Sequence, residues 1–596
     1  MISLVRAKVL GKNWPPLAAA VFMVLHVALL AFGATVHSPT FDETAHLPAG
    51  ICHWWTGRFE LYRFNPPLGR MVAALPVLPA EPLIDCCPRG LPESRPEIEV
   101  ASHFVQANGH RALRFYTCAR WACIPFAVLG AYVCFRWASE LYGAQAGLAA
   151  VILWCFDPNI LAHGQLITPD MAGTALGAAA TYVFWRWLRQ PEWSTALFAA
   201  LVLGLAELSK STNVFMFLLW PALWVTWYFF PSIIGRRLST LSSAAQLIII
   251  LFGALFVLNA GYGFDGSLKQ LKDYQFASNF LGGGDGGNRF AHSRVGMLPV
   301  PLPSDYLLGI DLQEKDFERS WPSYLHGEFR QGGWWYYYLY GLAVKEPLGN
   351  IVLLLVALLT LRYTRSTQGG WRDACVLLLP IFCVLVLVSL HTGFNHHLRY
   401  VLPLFPYAFI WMSRVARLHL WGRMATMGVV ACLLASVMSS LRVYPHSLSY
   451  FNEAVGGPLR GPEHLLNSNI DWGQDLFFLK AWIDRHPAAR PITVVTFGNM
   501  SVTRAVLGNT RFPPEGPSCN MNDVNIVGPL PGWYAVSVNV LYEQQKMPDA
   551  SWPFSGFRYF KRFTPIATAG YSIYIYHITP EQANEVREQI GLAKLP

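Results

Sequence analysis

The sequence predicts a polytopic α-helical membrane protein with a small α/β unit at its C-terminal end. Three observations predict it. Hydrophobic residues fill 53% of the 596 positions and charged residues only 14%, at a mean hydropathy of +0.31, far from a soluble average. The apolar residues gather into about eleven stretches suited to crossing a hydrocarbon layer, a task that takes roughly 20 predominantly apolar residues, although some are short or broken by proline. From about Tyr444 onward the composition becomes that of a soluble protein.

The stretches are Leu17 to Val36, Tyr116 to Phe135, Leu141 to Phe156, Met171 to Leu188, Thr195 to Leu208, Val214 to Phe230, Ala244 to Ala260, Leu348 to Leu361, Ala374 to Leu390, Tyr400 to Val415 and Met424 to Leu441. Short loops rich in Lys and Arg stay cytoplasmic. Arg6, Lys8 and Lys12 precede the first stretch, and every second connection is basic: Arg136; Arg186 and Arg189; Arg236 and Arg237; Arg362, Arg365 and Arg372; Arg414, Arg417 and Arg423. The N-terminus is therefore expected inside and the C-terminus outside. Lys210 and Arg399 fall on outer connections, where this rule asks for no cation.

The formal net charge of +9 is largely that of the inner loops, and no basic stripe with interleaved aromatics suggests a nucleic-acid partner. The first stretch is long and lacks a small-x-small cleavage site, so it reads as a retained span. The expected organisation is a membrane part over 1–443, with outer loops at 37–114 and 261–334, and an outer soluble unit over 444–596.

The loop after the first span begins FDETAHLPAGICHWWTGRFELYRFNPPLGRMVAALPVL, Phe41 to Leu78. Its patches around Leu47 to Trp55 and Leu68 to Leu78 read as interfacial helices, with Trp54 and Trp55 suited to the headgroup zone. Asp42 and Glu43 lie where headgroups meet water. Thr40 and Glu43 make a capping box, which explains the acids locally; a functional role is compatible with it. Farther on, DPNILAHGQLITPD, Asp157 to Asp170, faces outward with Asp157, His163 and Asp170, and Asp170 either caps the next span or serves a site.

The glycine run Gly282 to Gly287 precedes no Lys-Ser or Lys-Thr, so it reads as a flexible loop and not as a phosphate cradle. GGWWYYYLYGLAVKEP, Gly332 to Pro347, ends an aromatic belt in Lys345, which either snorkels or pairs with Glu346, or binds an anion. HTGFNHHLRY, His391 to Tyr400, sets Arg399 among three histidines. Beyond Tyr444, NSNIDWGQDLFFLKAWIDRHP reads as a turn and an amphipathic helix, and PITVVTFG, WYAVSVNVLY and YSIYIYHI as strands. Of the 11 cysteines, Cys52, Cys86, Cys87 and Cys519 fall outside the spans. One disulfide among them is open, though the neighbours Cys86 and Cys87 are poor partners for each other.

The outer-facing acids Asp42, Glu43 and Asp170, with the cations Arg120, Lys345 and Arg399, match what transfer of a sugar from a lipid phosphate needs. The leaving phosphate needs cationic stabilisation, and the acceptor hydroxyl needs a base such as Asp42. No general acid is needed, which separates this logic from glycoside hydrolysis.

The loop from Phe41 to Leu78, with ARWACIPFAVLGAYVCF, GLAELSKSTN, GGWWYYYLYGLAVKEPLG, NHHLRYVLPLFP and SNIDWGQDL, resembles GT-C glycosyltransferases of the protein O-mannosyltransferase and aminoarabinose-transferase type. The resemblance implies a GT-C membrane fold and an inverting transfer from a polyprenyl-phosphate sugar to a hydroxyl of a protein, lipid or envelope glycan, on the outer face of a bacterial inner membrane. It implies Asp42 as catalytic base or acceptor-positioning acid, supported by Glu43. Arg120, Lys345 and Arg399 would contact the lipid phosphate, and Asp170 would be a second acid. Asn65 and Arg70 stand where the commoner form has His-Pro-Pro-Leu-Gly-Lys, which leaves Arg70 open as a phosphate ligand. His46, one turn after Asp42, fits the bacterial subgroup and orients the acids. No cofactor is assigned; a divalent cation is left open, but Asp42, His46 and Asp170 lack a three-ligand zinc spacing. The alternative reading is a transporter, flippase or non-catalytic binder of lipid-linked sugars, yet no internal repeat is visible and the ionisable residues cluster at the outer boundary.

Overall fold

The computed structural model describes residues 14–86, 95–229, 240–283, 287–361, 370–390, 395–514, 528–542 and 556–596. Arg6, Lys8, Lys12, Cys87, Arg236, Arg237, Arg362, Arg365, His391, Cys519 and the centre of the glycine run lie outside the described residues.

Every apolar stretch is helical over most of its described residues, with a break at Gly143 and a turn at Thr360 and Leu361. Trp14–Val36, His110–Tyr142, Leu241–Gly261, Trp371–Leu390 and Arg423–Val443 are each long and apolar enough to cross a membrane alone. Tyr337–Lys345 and Leu348–Leu359 form a pair bent by 115°. The bend falls at Glu346 and Pro347, because a proline disfavours helical backbone in the residue before it, and Glu346 is extended (φ −91°, ψ 139°). Around Pro403 and Pro406 the tenth stretch divides into a 3₁₀ turn over Leu398–Leu404 and a short α-helix, Phe405–Met412. That irregular turn carries Arg399. Trp137, Trp154, Trp185, Trp187 and Trp220 fill the bundle core, with Phe184 stacked on Trp220 at 4.1 Å.

Outside the bundle, the first outer loop folds into the helices Phe41–Thr56, Leu68–Ala74 and Pro96–Asn108, and Cys52 is joined to Cys86. The first two helices touch backbone to backbone: a Cβ at Gly50 would lie 2.2 Å from the Arg70 carbonyl oxygen, so only glycine lets them approach this closely.

The C-terminal segment holds a four-stranded sheet of β3 (Ile492–Val495), β4 (Gly532–Ser537), β6 (Ile573–Ile578) and β5 (Ala567–Ala569), in that spatial order. β3 runs parallel to β4, and β6 is antiparallel to both β4 and β5. β1 (Pro322–Leu325) and β2 (Glu328–Gln331) make a separate hairpin in the second outer loop. The stretch WYAVSVNVLY is a strand only as far as Ser537, after which Val538–Tyr542 is helical. The cause is a polar anchor: Ser537 Oγ donates to Asp471, Asn539 N to Ser537 Oγ, and Asn539 Nδ2 to the Asp471 carbonyl, which turns the chain out of the ladder. The sheet shares one apolar core with the outer loop, since Leu476, Leu479, Val494 and Ile575 cluster with Leu47, Ile51, Phe104 and Tyr116.

Candidate active site at the outer loop

Asp42 and Glu43 are adjacent in sequence and have different surroundings. Glu43 lies in the first turn of Phe41–Thr56 and is fully buried. Its Oε2 accepts from Thr40 N and Thr40 Oγ1, both at 2.9 Å, and its Oε1 accepts from Ile167 N at 3.0 Å. Arg120 completes the shell, donating through Nε at 2.8 Å and Nη2 at 2.5 Å. Arg120 also donates to the carbonyls of Ala34, His37 and Ser38, so all five guanidinium N–H groups are engaged. Burial would raise the Glu43 carboxyl, but the Arg120 charge and these hydrogen bonds hold it below its ordinary value.

The two residues therefore form a closed pair that ties the end of the first span to the loop helix. Arg120 was expected on the lipid phosphate; its donors are all spent on Glu43 and backbone carbonyls. Glu43, expected to support Asp42, likewise faces Arg120, Thr40 and the backbone.

Asp42 keeps 22% of its side chain exposed. Its Oδ2 lies 2.9 Å from Arg399 Nη2, and Arg399 Nη1 lies 3.6 Å from Asp170 Oδ2. Asp170 Oδ1 accepts from Lys210 Nζ at 2.6 Å. The four residues form a chain of alternating charge from the loop through the 3₁₀ turn to the helices Pro169–Arg189 and Trp193–Ser209. Asp170 spends its carboxylate on these cations and makes no cap hydrogen bond, so capping does not account for it. Lys210 packs so closely that a Cβ on Gly173 would lie 2.6 Å from the Lys210 Cβ. These carboxylates are matched by cations, which is not the arrangement of a zinc site built on Asp42, His46 and Asp170.

The remaining walls are aromatic and basic. The Arg399 guanidinium stacks 4.1 Å from the Trp472 ring, contributed by the SNIDWGQDL segment, and Phe41 N donates to the Trp472 carbonyl. The His46 ring lies 4.3 Å from Tyr62, and the Arg70 guanidinium lies 5.3 Å from the Tyr62 centroid. Burial, then the nearby Arg70 charge, pushes His46 well below the usual histidine range, so it is neutral. Burial and the Asp42 carboxylate raise the Tyr62 phenol. Arg70 donates through Nε to His53 Nε2 at 3.0 Å and through Nη2 to the Asn65 carbonyl. Burial lowers it to about 10, which leaves it cationic at neutral pH.

Among the described residues, Arg70 Nη1 and Arg399 Nε are buried and have no hydrogen-bond partner. Buried cationic donors without acceptors are expensive, and an anion would satisfy each.

Lys345, expected on the phosphate, is otherwise engaged. It donates to the carbonyls of Leu448 and Asn469, with Phe451 over its ammonium at 4.8 Å, and so holds the C-terminal segment to the bent helix pair. Lys210, Tyr62 and Trp472 join the site beyond the residues expected there. Lys210 had a signal, as a cation on an outer connection; Trp472 and Tyr62 lay within segments of the resemblance but were not singled out.

Residues 116–260, about a quarter of the chain, match the family model described as dolichyl-phosphate-mannose-protein mannosyltransferase. The segment contains Arg120, Asp170 and Lys210. Among curated proteins, no sequence matches. Among solved structures, the chain is similar to ArnT from Cupriavidus metallidurans bound to undecaprenyl phosphate, at 12% identity, a TM-score of 0.44, and coverage of 93% of this chain and 97% of that one. It is also similar to the Archaeoglobus fulgidus oligosaccharyltransferase in the apo form, at 12% identity, a TM-score of 0.41, and coverage of 90% and 72%.

Proposed function

We propose that the protein is an inverting glycosyltransferase that moves a sugar from a polyprenyl-phosphate donor to a hydroxyl acceptor on the outer face of a bacterial inner membrane. The observation that carries the reading is the pair of unpartnered guanidinium donors, Arg70 Nη1 and Arg399 Nε, at a site whose one partly open carboxylate is Asp42. The match to a lipid-phosphate-sugar transferase family supports it. So does the Cys52–Cys86 disulfide in the loop, a bond at home in an oxidising outer compartment.

In this reading the donor phosphate sits between Arg70 and Arg399. The acceptor oxygen attacks the anomeric carbon from the opposite face, the bond from that carbon to the phosphate oxygen breaks, and its electron pair stays on the phosphate. Asp42 takes the acceptor's proton. Asp42 and Asp170 flank Arg399 and limit its rotamers, and Lys210 in turn holds Asp170. Neutral His46 and Tyr62 wall the sugar pocket, and the segment over 444–596, facing outward, closes it through Trp472. A direct displacement of this kind inverts the anomeric configuration.

The test is incubation of purified protein with a panel of radiolabelled polyprenyl-phosphate sugars and total envelope acceptors, followed by determination of the product's anomeric configuration. Transfer with inversion supports the reading. Retained configuration, or donor binding with no transfer to any acceptor, favours a covalent mechanism or a transporter or binding protein respectively.

A further inference from the structure

A second cluster lies on the other side of the Arg120 pair. His37 ends the first span, His446 follows the last one, and Asp475 opens the helix Leu476–Arg485. We propose that His37, His446 and Asp475 bind a zinc ion that clamps the C-terminal segment onto the first outer loop.

The distances suit the ion. Asp475 Oδ1 lies 3.2 Å from His446 Nδ1 and 3.6 Å from His37 Nδ1, and one ligand atom from each residue falls within 4.8 Å of the others. Tetrahedral zinc with bonds of about 2.0–2.1 Å sets its ligand atoms about 3.3 Å apart. Small side-chain movements close the set. Two imidazoles and a carboxylate are a zinc donor set, and a fourth ligand completes the coordination where His446 keeps 16% of its side chain exposed.

Hydrogen bonding around the cluster argues for a cation. His37 Nε2 contacts the Pro445 carbonyl at 3.0 Å, and a carbonyl only accepts, so Nε2 carries the proton. In the neutral ring Nδ1 is then a bare lone pair, and it faces two further acceptors, the Gln474 carbonyl at 3.4 Å and Asp475 Oδ1. A lone pair facing acceptors in a buried place needs something positive between them. Asp475 is oriented from behind by Ser572 Oγ, 2.7 Å from its other oxygen, and Phe478 and Tyr571 pack around the imidazoles. A backbone carbonyl on one imidazole and a hydroxyl on the carboxylate are the outer contacts that fix metal ligands, and an aromatic shell limits water.

The position explains what the ion would do. The His37 and Ser38 carbonyls accept from Arg120, Ser38 N and Oγ donate to the carbonyls of Gln474 and Gly473, and four residues on is Asp42. Zinc here fixes the short segment from which the Asp42 helix starts.

The experiment is metal analysis of the full-length protein purified without chelator or histidine tag. The expected result is about one equivalent of zinc per chain, loss of zinc in His446→Ala and Asp475→Asn, and retention in His46→Ala and Asp42→Asn. Cobalt replacement should give the intense visible bands of a tetrahedral site. Ser572→Ala, which leaves the ligands and the fold, should weaken zinc binding about 10–100-fold. Wild-type protein that carries no zinc and takes none up on titration would overturn the proposal. Zinc that stays in Asp475→Asn and leaves in Asp42→Asn or His46→Ala would overturn it too, by moving the ion to the catalytic cluster.

Discussion

Replacement of Glu43 by glutamine separates a structural acid from a catalytic one. The substitution keeps the shape and removes the charge. In the native protein the carboxylate accepts five hydrogen bonds, two of them from Arg120, and both partners are buried. The glutamine amide would turn an NH₂ toward donors, whichever way it is flipped, and would leave the Arg120 charge uncompensated. Breaking one side of a buried pair costs about 3–5 kcal/mol. That is about 10²–10⁴-fold in the folded-to-unfolded ratio, and on the order of 2–4 °C in Tm for a chain of this size.

Thermal unfolding in detergent, followed by intrinsic fluorescence from the tryptophans, reads the change. Arg120→Met combined with Glu43→Leu should lose less than the two single changes added together, with a coupling of about 0.5–3 kcal/mol. The pH dependence has a definite sign. Because the folded Glu43 carboxyl is held below its ordinary value of 4.5, its contribution is fully present above that value and is lost as pH falls through the folded value. The gap between Glu43→Gln and wild type should therefore be constant from neutral pH to about pH 5 and close only in more acid solution. A Glu43→Gln protein with Tm within about 1 °C of wild type, the range of an ordinary surface change, would refute the closed-pair account.

Arg399→Gln and Arg70→Gln should each weaken donor binding, since charge-assisted hydrogen bonds to phosphate are worth about 1.5–3 kcal/mol, or about 10–150-fold in Kd; binding of a fluorescent polyprenyl phosphate measures it, and unchanged affinity in both would remove the phosphate from this cleft. Cys52→Ser should destabilise the loop, because the Cys52–Cys86 link spans 34 residues and closing a ring of that size is worth about 3–4 kcal/mol in the chain-entropy treatment. Faster proteolysis between Cys52 and Arg114 would show it, and equal cleavage of wild type and variant would count against it.

The membrane helices were legible because each is a local run of apolar residues, and all eleven stretches are helical over most of their described residues. Arg399 and Lys210 were legible as cations out of place, a signal that depends only on which connection a residue occupies. Partners were not legible. Nothing local to Arg120 says that Glu43, 77 residues earlier, takes its charge, or that Lys345 ends on carbonyls more than 100 residues later. Asp170 looked equally like a cap, and only the arrival of Lys210 and Arg399 decides its role. The strand expected over WYAVSVNVLY fails at Ser537 because a buried aspartate from another segment captures that hydroxyl. The His37, His446 and Asp475 group spans most of the chain, so no ligand spacing could announce it.

The account stands on Asp42 as the base of a transfer reaction, and the most direct measurement is the rate of sugar transfer by wild type and Asp42→Asn at saturating donor, with donor affinity measured on the same preparations. The account predicts that the asparagine variant folds, binds donor within a few-fold of wild type, and transfers about 10²–10⁴-fold more slowly, the usual contribution of a general base. Undiminished transfer by Asp42→Asn would contradict it.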